Sequence, residues 1–325
     1  MTHPTVAIIM AVLNEEKHIA QAIDRLLAQD YPGQTTIVIA VGPSHDRTAE
    51  IVRGISALHA NVLMVENPSG RTPSGLNAAI AATDAEVIVR VDGHALVPND
   101  YVSQGVQTLE RTGADNVGGI MAAEGESAYQ HAVAAAMTSR FGVGGAAFHI
   151  GGEEGPALTV YLGCFRRSAL DRVGGFDETM IRAQDWEMNY RIRSTGGVVW
   201  FTPTMLVKYR PRPSAKALAK QYFGYGTWRR EVARRYPDTV SLRYLAAPVM
   251  VLGLLVGLIF LALGLALGNM LLLILGLIPI GTYLLAVVLA SLVSGDRKSI
   301  VRLLAVFPTM HISWGCGYLL GRARA

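Results

Sequence analysis

The chain has 325 residues, 51% of them hydrophobic and only 17% charged, with a net charge of +4. That length allows one large or two ordinary domains, and the apolar share is high for a soluble protein. Two cysteines, Cys164 and Cys316, exclude a disulfide framework and fit a reducing compartment. No basic stripe interleaved with stacking aromatics is present, which excludes nucleic acid as the partner.

The N-terminus lacks a basic segment followed by an apolar one of signal-peptide length: Val6–Leu13 is short and runs into acidic residues. The first half is therefore expected to stay in the cytoplasm. Val6–Val12 has the length of a strand, and Asn14, Glu15 and Glu16 follow as the expected cap of a helix in which Ile19, Ile23, Leu26 and Leu27 recur at helical spacing. Thr36–Val41 reads as the second strand and Ser44–Thr48 as the opening of the second helix. Asn61–Val65 is the third strand, and Thr72-Pro73 starts a third helix with proline in its first turn. Glu86–Val91 is the fourth strand. Strands alternating with helices predict a parallel sheet covered on both faces, with ligands beyond the carboxyl ends of the strands. Asn14, Val41–Asp46 and Asp92 fall at such ends.

Asp92 and His94 follow the fourth strand two positions apart, a spacing that puts both on one face of extended backbone. A carboxylate oxygen and an imidazole nitrogen suit Mn²⁺ or Mg²⁺ when substrate phosphates complete the shell. The alternative for Asp92 is that of a turn former. Asn116–Met121 and Leu158–Phe165 read as further strands, Asp185–Ser194 as a helix stopped by Gly196-Gly197, and Val198–Thr202 as a short strand. The Gly- and Ala-rich segment Phe141–Gly155 reads as a mobile loop near an acceptor entrance or as a simple connector.

Beyond residue 243 the chain turns into membrane. Ala246–Leu267 and Met270–Val293 contain no Asp, Glu, Lys or Arg, and each is long enough to cross a hydrocarbon core of about 30 Å. They read as two spans joined by a Gly268-Asn269 turn. A third segment, Ile300–Leu320, carries Arg302 and His311, so it either spans, lies in the interface, or dips in and returns. Lys and Arg concentrated between Lys208 and Arg243 place that side inside and suit anionic head groups or a lipid pyrophosphate. Asp296, Arg297 and Lys298 return inside, whereas Arg322 and Arg324 would lie outside a fully spanning third segment; this tips the reading toward partial insertion.

Five motifs occur in order: Val6–Glu16 ending in Asn14-Glu15-Glu16, Ser44-His-Asp46-Arg-Thr48, Arg90-Val-Asp92-Gly-His94-Ala, Gly174-Gly-Phe-Asp-Glu178, and Gln184-Asp185-Trp-Glu187-Met-Asn-Tyr-Arg191. Together they resemble the family 2 glycosyltransferases, in particular the branch that builds succinoglycan-like exopolysaccharides. The resemblance covers most of residues 1–243 and, loosely, the apolar tail. It implies a GT-A fold, an α/β mixed sheet with helices on both faces, followed by C-terminal transmembrane helices. Residues 1–212 would form the cytoplasmic catalytic domain, 213–243 a basic juxtamembrane amphipathic region, and 244–325 the membrane region.

The same resemblance implies a membrane-attached inverting transferase that moves a hexosyl or pentosyl group from a nucleotide-diphosphate sugar. The acceptor would be a lipid-linked or membrane-held saccharide. Rivals are transfer to polyprenyl phosphate and a non-catalytic nucleotide-binding subunit of a polysaccharide assembly. Asp92, with His94 as a second ligand, would hold the divalent cation (Mn²⁺ or Mg²⁺); the other reading has His94 behind the ligands or in contact with the diphosphate. Asp185 would be the general base or only a helix cap. Glu15, Asp46 and Arg71 are candidate donor contacts, although Asp46 also suits a helix cap. Glu187 either orients the acceptor or merely occupies the first helical turn. Tyr225, Trp228 and Arg229 lie at helical spacing and serve either the acceptor side or an interfacial aromatic anchor. The segment departs from the family's Gln-x-x-Arg-Trp signature, which argues against a translocating synthase. His94 departs from the usual second Asp, and Val41 stands where family members carry an acid, which leaves UDP as the leading donor base with GDP or another nucleotide open.

Overall fold

The computed structural model describes residues 3–295 and 298–323; Asp296, Arg297 and Arg324, used above to orient the tail, lie outside the described residues. In chain order the elements are β1 (Val6–Val12), α1 (Ile19–Leu27), β2 (Thr35–Val41), α2 (Thr48–Leu58), β3 (Val62–Glu66), α3 (Thr72–Ala81) and β4 (Val87–Arg90). Then come α4 (Tyr101–Thr112), β5 (Asn116–Ala123), α5 (Ala128–Met137), α6 (Arg140–Val143), α7 (Ala147–Ile150), β6 (Gly155–Pro156), β7 (Tyr161–Arg166), α8 (Arg167–Val173), α9 (Gln184–Ser194) and β8 (Val199–Tyr209). The chain ends with α10 (Ala215–Arg235), α11 (Leu242–Leu267), α12 (Met270–Ser294) and α13 (Ile300–Leu320). They form two compact units, one of residues up to 122 with 146–209, the other of 123–145 with 210 onward.

In the first unit an eight-stranded sheet has the order β3-β2-β1-β4-β7-β5-β8-β6. β3, β2, β1 and β4 are parallel, and β7 joins antiparallel to both β4 and β5. The sheet is therefore mixed, not wholly parallel. β1 is apolar at every position because both faces are covered. Val6, Ile8, Met10 and Val12 belong to one core with Ile19, Ile23 and Leu26 of α1, whereas Ala7 and Ile9 join Leu76 and Ala79 of α3 in the other.

Helix α1 starts four residues later than its sequence suggests. Asn14 adopts a left-handed conformation, φ 56°, which asparagine tolerates better than most residues. The next two amides are already committed: Glu15 N donates to Thr48 Oγ1 at 2.8 Å and Glu16 N to Asp46 Oδ2 at 3.1 Å. His18 is the residue that precedes the helix. By contrast, α3 begins at Thr72 with proline in its first turn, as expected. β8 is longer than the predicted Val198–Thr202, and α4 was not marked in sequence although Tyr101, Val102, Val106 and Leu109 form its buried side.

In the second unit, α5 and α6 pack with α13, so residues 123–145 leave the catalytic domain to which the sequence reading assigned them. The cause is apolar: α5 buries Ala132, Val133, Ala136 and Met137, and Phe141 of α6 stacks edge-on against Phe307 with ring centroids 5.1 Å apart. The predicted loop Phe141–Gly155 thus contains two short helices and is divided between the units. α11, α12 and α13 are 26, 25 and 21 residues long and apolar enough to cross a membrane. Gly268, with φ 60°, closes α11, and Asn269 caps α12 by accepting from Leu272 N at 3.2 Å. α13 is one continuous helix, not a segment that dips and returns. Its polar His311 is satisfied by Tyr283 Oη at 3.1 Å and the Phe141 carbonyl at 2.9 Å, which reduces the cost of a ring nitrogen among apolar helices.

Glycine permits α10 and α13 to meet backbone to backbone. A Cβ at Gly226 would stand 2.0 Å from the Trp314 carbonyl oxygen, and one at Gly317 would stand 2.0 Å from that of Phe223. Small residues at helix crossings serve this purpose in membranes. Gly226→Val should destabilise the detergent-solubilised protein by about 1–3 kcal/mol, the scale of overpacking, read as a lower thermal midpoint; an unchanged midpoint would refute this close crossing.

Candidate active site

β4 lies beside β1, with Ile9 opposite Arg90 and Val91 N bonded to Ile9 O at 3.0 Å. The two strands end together, bringing Val12–Glu15 next to Asp92–His94. Gly93 makes this approach possible, since a Cβ there would stand 2.8 Å from Val12 Cγ1. The β2–α2 loop is tied to the same end: His45 N donates to Asn14 Oδ1 at 2.8 Å, and Asn14 N donates to Ser44 Oγ at 3.1 Å. A cleft of about 240 Å³ results, lined by Val12, Leu13, Glu15, Asn67, Gly70, Thr72, Arg90, Asp92, Gly93, His94 and Gln184 among others.

Arg90 governs the floor of this cleft. Its side chain is 4% exposed, yet Nη2 donates to Asp92 Oδ1 at 3.0 Å and Nη1 forms an ion pair with Asp185 Oδ1. Asp92 and Asp185 remain 26% and 23% exposed, so both reach solvent. Asp185 comes from the first turn of α9 and does not cap it; the residue preceding the helix is Ala183, held left-handed at φ 60°. A non-glycine residue there is strained by about 1–2 kcal/mol, and strain of this kind concentrates at functional sites.

His94 Nδ1 lies 2.9 Å from Glu15 Oε1. With Glu15 accepting, Nδ1 is the donor of this contact, and the tautomer that makes it leaves the Nε2 lone pair as the ring's ligand atom. That arrangement is the one by which a carboxylate orients a metal-binding imidazole. Among the described residues no group of three or more His, Cys, Asp and Glu side chains is placed to hold a metal. The donor set that is present, one carboxylate and one imidazole, fits a hard cation that takes its remaining ligands from substrate phosphates and water.

The other sequence candidates fall into different surroundings. Asp46 receives Thr48 N at 3.0 Å, Thr48 Oγ1 at 2.5 Å and Glu16 N at 3.1 Å, so its carboxylate ties two loops. The Thr48 hydroxyl, foremost, lowers its pKa; the resulting stabilisation exists at neutral pH and is lost as acid protonates the group. Arg71 is exposed just before α3, in a turn fixed by Asn67 Nδ2 donating to its carbonyl at 3.0 Å. Glu187, expected to face an acceptor or to sit idly in the first turn, points inward at 1% exposure and is gripped by Arg191 Nε and Nη2 at 2.6 and 2.7 Å. The i, i+4 spacing to Arg191 and a position on the side of α9 that also buries Met188, Asn189 and Ile192 place it there. The Gly174–Glu178 motif also braces the scaffold, with Glu178 accepting from Ser74 Oγ at 2.7 Å and Asn77 Nδ2 at 3.1 Å.

Tyr225, Trp228 and Arg229 belong to the second unit. Tyr225 Oη accepts from Gln221 Nε2 at 2.8 Å, and Trp228 is buried. Arg229 pairs with Thr239 Oγ1 at 3.1 Å and lies over the Tyr244 ring, 3.6 Å from its centroid, an arrangement that pins α10 to the start of α11. Sequence reading gave no role to Arg90, Asn67 or Gln184. The signal for Arg90 was present: a charge ending an otherwise apolar strand needs a buried partner.

The parallel half-sheet and its antiparallel extension, with a cleft beyond the ends of β1 and β4, are the architecture of a GT-A fold, and the matches to known proteins agree. Residues 3–224 match the family described as Glycosyltransferase like family 2, and the chain belongs to that family. It is 31% identical to the succinoglycan biosynthesis protein ExoA of Rhizobium meliloti (strain 1021) over 98% of this chain and 95% of that protein. It is 25% identical to a Methanococcus voltae dolichyl N-acetyl-alpha-D-glucosaminyl phosphate 3-beta-D-2,3-diacetamido-2,3-dideoxy-beta-D-glucuronosyltransferase, over 68% of this chain and 71% of that one. Among solved structures, the mannosyltransferase PcManGT of Pyrobaculum calidifontis, in complex with GDP-Man and Mn²⁺, superposes with a TM-score of 0.61 at 18% identity, covering 99% of this chain and 88% of that one. S. aureus TarS 1-349 in complex with UDP-GlcNAc gives 0.52 at 13% identity, covering 97% and 90%. The fold is GT-A and the protein is a glycosyltransferase, which sets aside the non-catalytic alternative.

Glu187→Ala should destabilise the protein by about 3 kcal/mol, the lower end for breaking a buried ion pair, because Arg191 retains partial solvent access. Thermal unfolding in detergent measures it, and a wild-type midpoint would show that the pair contributes little.

Proposed function

We propose that this protein transfers a sugar, with inversion, from a nucleotide-diphosphate sugar to a hydroxyl of a lipid-linked or membrane-held saccharide, in polysaccharide or glycolipid synthesis. The observation that carries the reading is the convergence of Asp92 and Asp185 on the buried Arg90 guanidinium, which lines the same cleft as Asp92 and His94. A single displacement at an anomeric carbon requires charge compensation for the departing diphosphate and a proton acceptor for the attacking hydroxyl. Asp92 and His94 would hold a divalent cation, Mn²⁺ or Mg²⁺, which when bound supplies Lewis-acid neutralisation of the diphosphate. Asp185 accepts the hydroxyl proton. The N-terminus of α3, with Thr72 and Gly70 on the cleft wall and Arg71 beside them, suits phosphate oxygens. Glu15 orients His94, and Asp46 acts at the nucleoside end through the loop it secures.

The ligands named for the solved relatives, GDP-Man with Mn²⁺ and UDP-GlcNAc, support a nucleotide-sugar donor and a divalent cation. UDP is the donor base we favour. The dolichyl-phosphate-linked substrate in the name of the Methanococcus relative supports a lipid-linked saccharide over bare polyprenyl phosphate. Three apolar helices on the same chain support a multi-pass protein of the cytoplasmic membrane, and the cations between Lys208 and Arg243 support a cytoplasmic site.

Two substitutions separate the roles. In Asp92→Ala, Mn²⁺-stimulated release of nucleotide diphosphate from donor should fall to background; equal turnover would remove the cation assignment. Asp185→Asn should retain donor binding while transfer falls by about 10²-fold or more, measured as label moving from nucleotide sugar to the lipid fraction. Unchanged transfer would assign the base elsewhere.

A further inference from the structure

Arg90 sits where a structural arginine would be expected to satisfy all of its donors, and it does not. It is 3% exposed, and its backbone is fixed by the pairing of β4 with β1. Among the described residues, neither its Nε nor its Nη1 has a hydrogen-bond acceptor, and the Nη1 contact with Asp185 Oδ1 is an ion pair without hydrogen-bond geometry. Its two terminal nitrogens go to Asp92 and Asp185. Burial alone would favour a fuller set of partners; this guanidinium is instead committed to the two acids that the proposed chemistry uses.

The two acids are not equivalent with respect to a cation. Asp92 lines the cleft together with His94, whose ring is oriented by Glu15, whereas Asp185 stands in the first turn of α9 behind Gln184, the residue of that helix that lines the cleft. A divalent ion binding at Asp92 and His94 meets a carboxylate whose Oδ1 is already paired with Arg90, and two positive charges on one carboxylate repel. Resting on the assignment of Asp92 to the cation and Asp185 to the proton, we propose that Arg90 is a positioning residue that shares Asp92 with the divalent cation. It holds the two acids in register before the cation arrives, then yields Asp92 while keeping its grip on Asp185. Cation binding is thereby coupled to alignment of the acceptor-side carboxylate.

This coupling predicts effects of opposite sign, which a merely structural arginine would not produce. In full-length protein in detergent, Mn²⁺ affinity is measured without nucleotide from the electron paramagnetic resonance of the free ion. Arg90→Gln should bind Mn²⁺ about tenfold more tightly, as expected of removing a nearby unit charge from a partly screened site, while transfer falls by about 10²-fold. Arg90→Lys preserves the charge but cannot fork two carboxylates; its Mn²⁺ affinity should remain within about twofold of wild type, with transfer reduced about tenfold. Unchanged or weaker Mn²⁺ binding in a folded Arg90→Gln, or wild-type transfer in Arg90→Lys, would overturn the proposal. If Arg90→Gln does not fold, Arg90→Lys decides alone. Asp92→Ala separates this inference from the reading beneath it: Mn²⁺ binding that survives Asp92→Ala defeats the cation assignment itself. Loss of binding there, together with no tightening in Arg90→Gln, defeats only the role of Arg90.

Discussion

The pairing of β4 with β1 is the constraint on which the site depends. It fixes Arg90 opposite Ile9, in an interior where a guanidinium cannot remain without anions. Asp92 and Asp185 meet that need. Two carboxylates held close together would repel each other; the arginine between them converts that repulsion into a defined geometry. The acids are thus placed by the electrostatic requirement of a buried charge as well as by their own elements.

Backbone irregularity carries much of the remaining precision. Left-handed Asn14 turns the chain at the end of β1 and uses its side chain to hold the neighbouring loop. Left-handed Ala183 sets the angle at which α9 starts, and with it the direction of Asp185. Gly93 lets the Asp92–His94 segment lie against Val12. None of these conformations is the one a regular strand or helix prefers, and each stands within a few residues of the cleft. The regular sheet supplies rigidity, and the irregular positions aim the side chains.

The second unit illustrates the same division between burial and fine placement. Its helices associate through glycine, where an added methyl group would meet backbone atoms, and His311 of the apolar helix α13 is satisfied on both ring nitrogens. Arg229, a candidate for acceptor contact by spacing, instead closes the junction of α10 and α11 through Thr239 and Tyr244. A cation among aromatics near a membrane reads the same way in sequence whether it binds a ligand or a neighbouring helix.

The sequence by itself determined the strand and helix alternation from β1 to β4, the proline-led start of α3, the Gly268-Asn269 turn and the apolar tail, because each is written in local periodicity or a residue's own backbone preference. It also marked Asp92, His94 and Asp185 as chemically able residues. Only the tertiary structure decided that Arg90 joins Asp92 to Asp185, that Glu187 turns inward to Arg191, that Asp46 is engaged by two loops, and that residues 123–145 side with the apolar C-terminal helices. These outcomes depend on which distant segments share space, and hydrophobic periodicity reports only that a face is buried, not what buries it.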